Sequence, residues 1–276
     1  MVCVFLFLTF GTDFANKIET EIMKNTILFI FALFASTTFA QSNAYNSGEK
    51  FKFRIHYGFV NAGYATLELK EVKYNNKKVF HAKGYGYTTG MTKMFFRVKD
   101  DYQSYFDKAT GKPYKFIRKI DEGGYTKDQE GYFDQEGNTV LVNDHKANSK
   151  KRIVVSDKVQ DIVSSFYYLR NHPGIDNIQI GEHISIDMFF DDEISKFKLK
   201  YLGKENIKTK FGTITSLKFR PFVQSGRVFK EEESLTVWVS ADKNKIPLRI
   251  EADLAVGSLK ADLESYSGIQ YNIKFN

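Results

Sequence analysis

Alternation of apolar and polar residues over most of the chain is the feature that most constrains its fold. Phe197, Leu199 and Tyr201 alternate with three lysines, and the segments 51–57 and 247–256 repeat this pattern. Successive side chains of a β-strand point to opposite faces, so the pattern predicts strands with one buried face and one solvated face. Such strands are typical of antiparallel sheets, because parallel strands are usually buried on both faces.

Turn-forming clusters separate the alternating segments at the short intervals expected of hairpins. They lie at 75–76, 107–113, 134–138, 191–193, 211–212, 242–245 and 256–258. No linker rich in proline, serine and glycine divides the mature chain, so we predict a single β-rich domain over residues 41–276. A long meander with one apolar face must curl to hide that face and to limit its edges. The sequence therefore predicts a mainly all-β fold, a long antiparallel meander curled into a barrel or half-barrel.

One segment, DKVQDIVSSFYYLRNHPG at 157–174, interrupts the alternation. Asp157 and Gln160 resemble a capping box, and the residues after position 170 stop a helix. Between these ends lie apolar residues at the spacing of one helical stripe, namely Val159, Ile162, Val163, Phe166 and Tyr167. The pattern predicts one central amphipathic helix over 157–170 that closes the sheet. This helix is either a plug that fills the core or a lid that covers a cavity.

The segment MKNTILFIFALFASTTFA, residues 23–40, has the basic start, short apolar run and small final residues of a secretory signal peptide. We expect cleavage after Ala40, which predicts an exported, periplasmic protein. Residues 1–22 carry a second apolar run, and we interpret them as a mis-called upstream start, with a two-part leader as the alternative. No later segment approaches the length of a transmembrane helix. The single cysteine, Cys3, lies in residues 1–22, so the mature chain is expected to have no disulfide and no cysteine for a lipid anchor.

Composition and motifs give no sign of catalysis or of nucleic-acid binding. The chain has a formal net charge of +7, and its lysines are spread over nearly all predicted strands, which is typical of a solvated sheet face. The five histidines have no metal-ligand spacing, and there is no nucleophile elbow or phosphate-binding glycine loop. The acidic pairs Asp100-Asp101 and Asp191-Asp192 are either an acid and a base or solvated carboxylates. We therefore predict a non-enzymatic protein with no cofactor, no metal and no nucleic-acid partner.

Arg170 is the most informative residue of the predicted helix, because helical spacing puts it in line with Val163 and Phe166 on the core-facing stripe. A buried charge needs a partner. In a structural interpretation, the guanidinium pairs with a carboxylate such as Asp100 or with the last carbonyls of the helix. In a functional interpretation, it binds an anionic head group at the rim of an apolar pocket.

Trp238 alternates out of step with Leu235, Val237 and Val239, which places it on the solvated face of its strand. There it is either covered by a terminal segment or exposed for a partner. Together with the helix residues it completes the candidate ligand-binding site. The predicted site residues are Val163, Phe166, Tyr167, Arg170 and Trp238.

Several stretches together resemble an exported bacterial family, domain-of-unknown-function family thirty-one-oh-eight. They are YGFVNAGYATLEL, DDYQSYFD, VQDIVSSFYYLR, GKENIKTKFGT and LTVWVSADKNKIPLRIEADLAVGSLKADL, in this order along the chain. This resemblance implies no known activity. A shorter stretch, VWVSADKNKIPLRIEA, is similar to the periplasmic lipoprotein carriers of the LolA and LolB type, which implies a curled half-barrel with helices over an apolar cavity.

These observations favour a periplasmic protein that binds an apolar or lipid-like ligand in cell-envelope maintenance. One-sided strands, abundant aromatic residues and a single helix are consistent with a covered apolar site. The alternatives are an interaction or assembly module that docks an outer-membrane or envelope protein, and an envelope hydrolase. A hydrolase would require two polar residues that converge in one cleft with strongly shifted pKa values.

Overall fold

The computed structural model describes residues 43–223 and 235–276. The predicted signal peptide at 23–40, its cleavage site and the upstream segment 1–22 lie outside the described residues. Within the described ranges the chain forms strands, two short α-helices and one turn of 3-10 helix.

The strands are numbered in sequence order. They are β1 (Lys50–Tyr57), β2 (Val60–Tyr74), β3 (Lys77–Thr88), β4 (Lys99–Asp107), β5 (Pro113–Glu122), β6 (Tyr125–Asp134), β7 (Thr139–Asp144), β8 (Ser149–Val154), β9 (His183–Phe190), β10 (Glu193–Thr209), β11 (Gly212–Val223), β12 (Leu235–Ser240), β13 (Pro247–Asp253) and β14 (Ser258–Ser267). The helices are α1 (Gly90–Phe95) and α2 (Ile162–Arg170), and the 3-10 turn is Pro173–Ile175.

All of these strands belong to one antiparallel sheet. In the described part of the chain it has fourteen strands, in the order β8-β7-β6-β5-β4-β3-β2-β1-β14-β13-β12-β11-β10-β9. Strands that follow one another in the sequence pair, except β8 and β9, and the β1–β14 pair places Phe53 opposite Leu263. The prediction of a mainly all-β antiparallel meander is confirmed. Because β8 and β9 are unpaired edges, the sheet is open, as in a half-barrel, and not a closed barrel.

Side chains, rather than strand pairing, bring the two edges of the sheet together. Phe189 of β9 packs against Phe116 of β5, with ring centroids 5.9 Å apart, in a cluster that includes Val140 of β7. The chain between β8 and α2 also follows β9. There the Gln160 N–H donates to the Asp187 carbonyl, and the Phe189 N–H donates to the Gln160 carbonyl, both at 2.8 Å. We call this contact between β5–β8 and β9 the seam.

Helix α2 begins at Ile162, later than the predicted start at Asp157. Its N-cap is Asp161, whose Oδ1 accepts hydrogen bonds from two N–H groups of the first turn at 2.8 and 2.9 Å. Ser164 Oγ accepts from the Asp161 N–H at 2.9 Å, which completes a capping box. The predicted box of Asp157 and Gln160 is therefore wrong. Gln160 lies outside the helix because its backbone N–H and carbonyl form hydrogen bonds with β9.

One face of α2 packs against strands β2, β3 and β4. Tyr167 is fully buried, and its ring centroid lies 5.4 Å from that of Phe106. Val163 belongs to the same cluster, together with Leu69 and Phe80. The predicted apolar stripe thus faces the core at these two positions.

The rest of α2 reaches two further clusters. Phe166 contacts a cluster that contains Phe51, and Leu169 contacts one that contains Tyr201. Ile162 departs from the predicted stripe, since it is 40 % exposed. Because the helix packs against several parts of the sheet at once, its packing matches the plug rather than the lid.

Candidate functional site

Arg170, the last residue of α2, forms a buried ion pair with Glu49. Its Nη1 lies 2.6 Å from Oε1 and its Nη2 lies 2.8 Å from Oε2, which is a bidentate arrangement. Nε donates to the Asn244 carbonyl at 2.9 Å, and Nη2 donates to the Ala44 carbonyl at 3.0 Å. The two charged side chains are 3 % and 0 % exposed. The predicted partner Asp100 is therefore wrong, and the guanidinium instead ties the N-terminal segment, α2 and the β12–β13 turn together.

The predicted site residues of α2 surround this ion pair. The guanidinium carbon of Arg170 lies 5.3 Å from the ring centroid of Phe166 and 5.7 Å from that of Tyr167. Tyr45 adds a third ring at 5.3 Å. Burial raises the pKa of Tyr45 to about 12, so its hydroxyl stays neutral there. These contacts give Arg170 a structural role in the core.

Trp238 is buried, whereas alternation predicts it on a solvated face. It is 7 % exposed, and its Nε1 donates to Glu205 Oε2 at 3.0 Å. It belongs to a cluster against which Ile273 and Phe275 of the C-terminal segment pack. Trp238 lies on the opposite face of β12 from Val239, as the alternation predicts, because the two residues contact different clusters. This face is covered and not solvated, since both faces of β12 are packed. Of the two predicted interpretations, cover by a terminal segment agrees with this arrangement.

A narrow cavity lies at the seam, next to the start of α2, and we call it the seam cavity. Its empty volume is about 360 Å³, but its width leaves room for about one water molecule. The predicted site residue Val163 forms part of its wall. Other wall residues are Tyr102, Phe116, Arg118, Gln129, Asp161, Phe189, Phe190 and Asp191. The cavity therefore combines aromatic walls with a few charged groups, as small-molecule sites usually do.

Arg118 of β5 is the polar centre of the seam cavity. It is 9 % exposed, and its guanidinium carbon lies 4.2 Å from the ring centroid of Phe190 and 5.7 Å from that of Tyr102. Nη1 donates to Asp191 Oδ1, which also accepts from Lys127. Among the described residues, Nε has no hydrogen-bond partner. An anionic group with two oxygen atoms fits the Nε edge of this guanidinium.

Asp191 holds the β9–β10 turn against β5 and β6 across the seam. Asp191 and Asp192 form this two-residue turn with φ values of 49° and 63°, the conformation typical of tight hairpins. Burial acts to raise the pKa of Asp191, but hydrogen bonds from Lys127 and Arg118 outweigh burial and lower it. The carboxylate is thus an ionised counter-ion for both basic groups.

Two carboxyl groups near the seam have raised pKa values. Burial raises the pKa of Asp161 to about 6, despite hydrogen bonds from Ser104 and the helix backbone. Burial, with a hydrogen bond to Glu122, raises the pKa of Asp100 to about 7. Asp161 uses one oxygen for the helix cap and the other to accept from Ser104 Oγ at 2.6 Å. Its carboxylate therefore has a structural role at the start of α2.

One member of each predicted acidic pair forms an ion pair, whereas Asp100 shares a hydrogen bond with Glu122. Asp101 lies 2.9 Å from Lys83 Nζ, while Asp191 contacts Arg118 and Lys127. These carboxylates act as counter-ions, which is not the arrangement of an acid and a base on one bond.

The importance of Arg118 is not evident from any motif, but one sequence signal points to it. Phe116, Arg118 and Ile120 fall at alternate positions of β5, and all three are buried. A charge in phase with two buried apolar residues requires a partner or a ligand. The same criterion that singles out Arg170 on the helix applies to Arg118 on the strand.

A second cleft, lined by residues of β1, β10, β13 and β14, is polar and open. Its empty volume is about 1120 Å³. His56 Nε2 lies 2.9 Å from Asp262 Oδ2, and Arg249 Nε lies 2.5 Å from Oδ1. Burial acts to raise the pKa of Asp262, but hydrogen bonds from Arg249 and His56 outweigh it and lower the pKa. Further charged residues line the cleft, namely Arg54, Glu205, Lys208, Lys210 and Glu264, so it suits an apolar ligand less well than the seam cavity does.

Across residues 43–223 and 235–276, no three His, Cys, Asp or Glu side chains are grouped so that they could hold a metal ion. Over the same ranges, no helix has the length and apolar character needed to cross a membrane.

Comparisons with known proteins agree with the fold. The family model described as Protein of unknown function (DUF3108) matches residues 52–264, which confirms the resemblance found in the sequence. The crystal structure of a beta-barrel-like protein of the domain-of-unknown-function family DUF1849 from Brucella abortus is similar, with a TM-score of 0.56 and 9 % identity. The match covers 81 % of this chain and 98 % of that one. At this identity the likeness shows the fold alone.

A second solved structure is less similar. It is a DUF1089 family protein from Pseudomonas aeruginosa, with a TM-score of 0.35, 9 % identity, and coverage of 67 % of this chain and 87 % of that one. No curated protein matches this chain significantly in sequence. The likeness to the LolA and LolB carriers stays a prediction.

Proposed function

The chain belongs to the DUF3108 family of proteins of unknown function, and from its geometry we propose that it binds, without catalysis, an amphiphile with an anionic head group and an apolar chain. The proposed site is the seam cavity, and the proposed setting is the periplasm, in keeping with the predicted signal peptide. The observation that carries the proposal is Arg118, which is 9 % exposed, lies between two aromatic rings and has an unpartnered Nε in the described structure. A guanidinium in such a place binds carboxylate or phosphate through two parallel hydrogen bonds.

The walls next to Arg118 suit the apolar part of such a ligand. Phe116, Phe189 and Val163 contribute apolar surface to the cavity. Each buried methylene group stabilises the complex by about 0.8 kcal/mol. The head group would therefore set the position of the ligand, and the chain would provide most of the affinity.

The seam has to open for this ligand, because the cavity as it stands holds about one water molecule. Strands β8 and β9 are the unpaired edges of the sheet, so the seam contains no strand ladder, and the contacts across it are side-chain contacts and the two backbone hydrogen bonds of Gln160. The head group would bind the Nε edge of Arg118, while Asp191 stays on Nη1 and keeps its second cation, Lys127. The guanidinium therefore stays paired throughout.

Native mass spectrometry of the protein purified from the periplasm, followed by organic extraction and lipid analysis, tests this proposal. Laurate and lysophosphatidylglycerol, added to delipidated protein, are the defined probes. We expect a one-to-one adduct whose affinity falls about ten- to hundredfold in Arg118→Gln, since a hydrogen bond to a charged group is worth about 1.5–3 kcal/mol. Arg152→Gln, at an exposed arginine of β8, is the matched control and should bind like the wild type.

Two results would count against the proposal. One is a clean unliganded mass with no saturable binding of either probe. The other is equal loss of binding in Arg118→Gln and Arg152→Gln, which would mean that general charge, rather than the seam cavity, attracts the probe.

A further inference from the structure

The turns at one end of the sheet expose a concentration of apolar side chains. The β1–β2 turn exposes Phe59 at 103 %, and the β13–β14 turn exposes Val256 at 77 %. Between β3 and β4, α1 exposes Met94 at 84 % and Phe95 at 83 %. Consecutive antiparallel strands bring these turns to the same end. We define the apolar tip by the segments 57–60, 89–97 and 254–257.

Hydrogen bonds and packing join the three segments into one surface. Tyr57 Oη donates to the Val256 carbonyl at 2.8 Å, which connects the first segment to the third. The Thr89 N–H donates to a β2 carbonyl at 3.0 Å, and α1 packs against β2. The Phe96 ring lies over Gly123 of the β5–β6 turn, so closely that a Cβ there would be 2.3 Å from it. The apolar surface therefore extends across four neighbouring turns.

The apolar side chains of the tip do not contribute to the core. None of the six residues of α1 is buried, although the helix contains Met91, Met94 and Phe95. Contiguous exposed apolar surface of this kind marks a place of interaction. The turns at the opposite end, at 75–76 and 135–138, consist of polar residues and glycine. These two turns thus lack the large apolar side chains of the apolar tip.

The charge at the apolar tip is positive. Lys93 and Arg97 are the charged residues within its three segments, and Lys99 follows at the start of β4. All three are exposed, and Arg97 also lies 3.1 Å from Asp121. The acidic residues beside these segments are Asp253, which directly precedes the third segment, and Asp121, which pairs with Arg97. Basic residues that flank projecting apolar groups complement a surface of negative charge.

We propose that the apolar tip docks the protein on an anionic lipid bilayer. Phe59, Phe95 and Val256 insert at the level of the acyl chains, and Lys93 and Arg97 contact the phosphates. A fluid bilayer closes around separate projecting side chains, whereas a protein partner needs a matched pocket for each of them. This docking uses none of the residues of the seam cavity, so it stands independently of the proposed ligand.

Flotation with protein-free vesicles tests the docking. The vesicles consist of phosphatidylglycerol with phosphatidylethanolamine, and of phosphatidylcholine alone for comparison. We expect the protein to float with the anionic vesicles and to dissociate as salt screens the charges. In Phe59→Ser/Phe95→Ser the affinity should fall about a hundredfold or more, since burial of each aromatic ring is worth about ten- to hundredfold. In Lys93→Gln it should fall a few-fold, and only at low salt.

The matched control removes exposed apolar groups elsewhere. Val154 and Ile180 are 77 % and 75 % exposed and lie outside the apolar tip, so Val154→Ser/Ile180→Ser should float like the wild type. Thermal melts of all variants verify that each is folded. Failure of the wild type to float with anionic vesicles would overturn the proposal, as would equal flotation of Phe59→Ser/Phe95→Ser. Binding to native envelope membranes but not to vesicles of their extracted lipids would assign the tip to a protein partner. A dimer that is lost in Phe59→Ser/Phe95→Ser, without flotation, would assign it to a second copy of the chain.

Discussion

Arg170→Met tests the buried ion pair that joins α2 to the rest of the fold. The substitution leaves Glu49, which is 0 % exposed, without its cation. It also leaves the carbonyls of Asn244 and Ala44 without their donor. Loss of one partner of a buried ion pair costs about 3–5 kcal/mol, because the other charge stays buried and unpaired. We therefore expect the free energy of unfolding to fall by about 4 kcal/mol, and the midpoint temperature by roughly 10 °C in a domain of this size.

A double-mutant cycle separates the ion pair from side-chain packing. Glu49→Met/Arg170→Met removes both charges, so it should be about 2–3 kcal/mol more stable than the sum of the single variants predicts. The control is Arg97→Met, because the Arg97–Asp121 pair is exposed and such pairs are worth about 1 kcal/mol or less. Urea unfolding followed by far-ultraviolet circular dichroism gives each value. A loss below about 1 kcal/mol for Arg170→Met, or strictly additive single variants, would refute the reasoning.

Three further predictions concern single side chains. The pKa of Asp100 is raised to about 7 from 3.8, so the folded state binds this proton more tightly and loses stability as pH rises from about 4 to about 7. The stability of Asp100→Asn relative to the wild type, measured by urea unfolding, should therefore increase over that range. A stability difference that stays constant with pH would show that the raised pKa of Asp100 is not the cause. Asp161→Ala removes the N-cap of α2 and should cost about 1–2 kcal/mol, most of which Asp161→Asn should restore in the same assay. Trp238 is the single tryptophan and is 7 % exposed, so its fluorescence should be blue-shifted and shielded from iodide until the protein unfolds. Native emission like that of free tryptophan would show that the C-terminal segment does not cover it.

The antiparallel meander could be predicted because alternation is a local property of a strand. In β1, for example, Phe51 and Phe53 are buried at the predicted positions. The same reasoning does not predict the burial of Trp238, since it assumes that only one face of each strand is covered. β12 has packed clusters on both faces, and a register shift between Trp238 and Val239 disturbs its pairing with β13.

Contacts between distant segments could not be predicted from local patterns. The position of Arg170 on the core-facing stripe shows that it needs a carboxylate partner. The sequence does not show which one, because Glu49 lies 121 positions earlier. The start of α2 is set in a similar way. The backbone of Gln160 forms hydrogen bonds with β9, which comes later in the chain. Because Gln160 is held there, the helix begins after the next residue, Asp161, which caps it.

Two departures from alternation lie at the two proposed surfaces. Arg118 places a charge on an apolar face, and it forms the polar centre of the seam cavity. Val256 is in phase with Leu248, yet Leu248 is 1 % exposed and Val256 is 77 % exposed, at the apolar tip. A pattern that assumes burial of apolar residues and exposure of charges fails where a protein binds something else, because selection there acts on the ligand or surface as well as on the fold.

The seam cavity and the apolar tip are related by strand direction. Asp191 lies in the β9–β10 turn, and an antiparallel order brings that turn to the same end as the turns of the apolar tip. A ligand that leaves a bilayer at the tip would therefore enter the half of the sheet that contains Arg118. The two proposals remain separable, since Arg118→Gln should weaken amphiphile binding and keep flotation, while Phe59→Ser/Phe95→Ser should weaken flotation and keep amphiphile binding. If both proposals are right, Arg118→Gln and Phe59→Ser/Phe95→Ser should each slow the transfer of labelled laurate from vesicles to the protein. Laurate supplied in solution should then restore binding in Phe59→Ser/Phe95→Ser but not in Arg118→Gln.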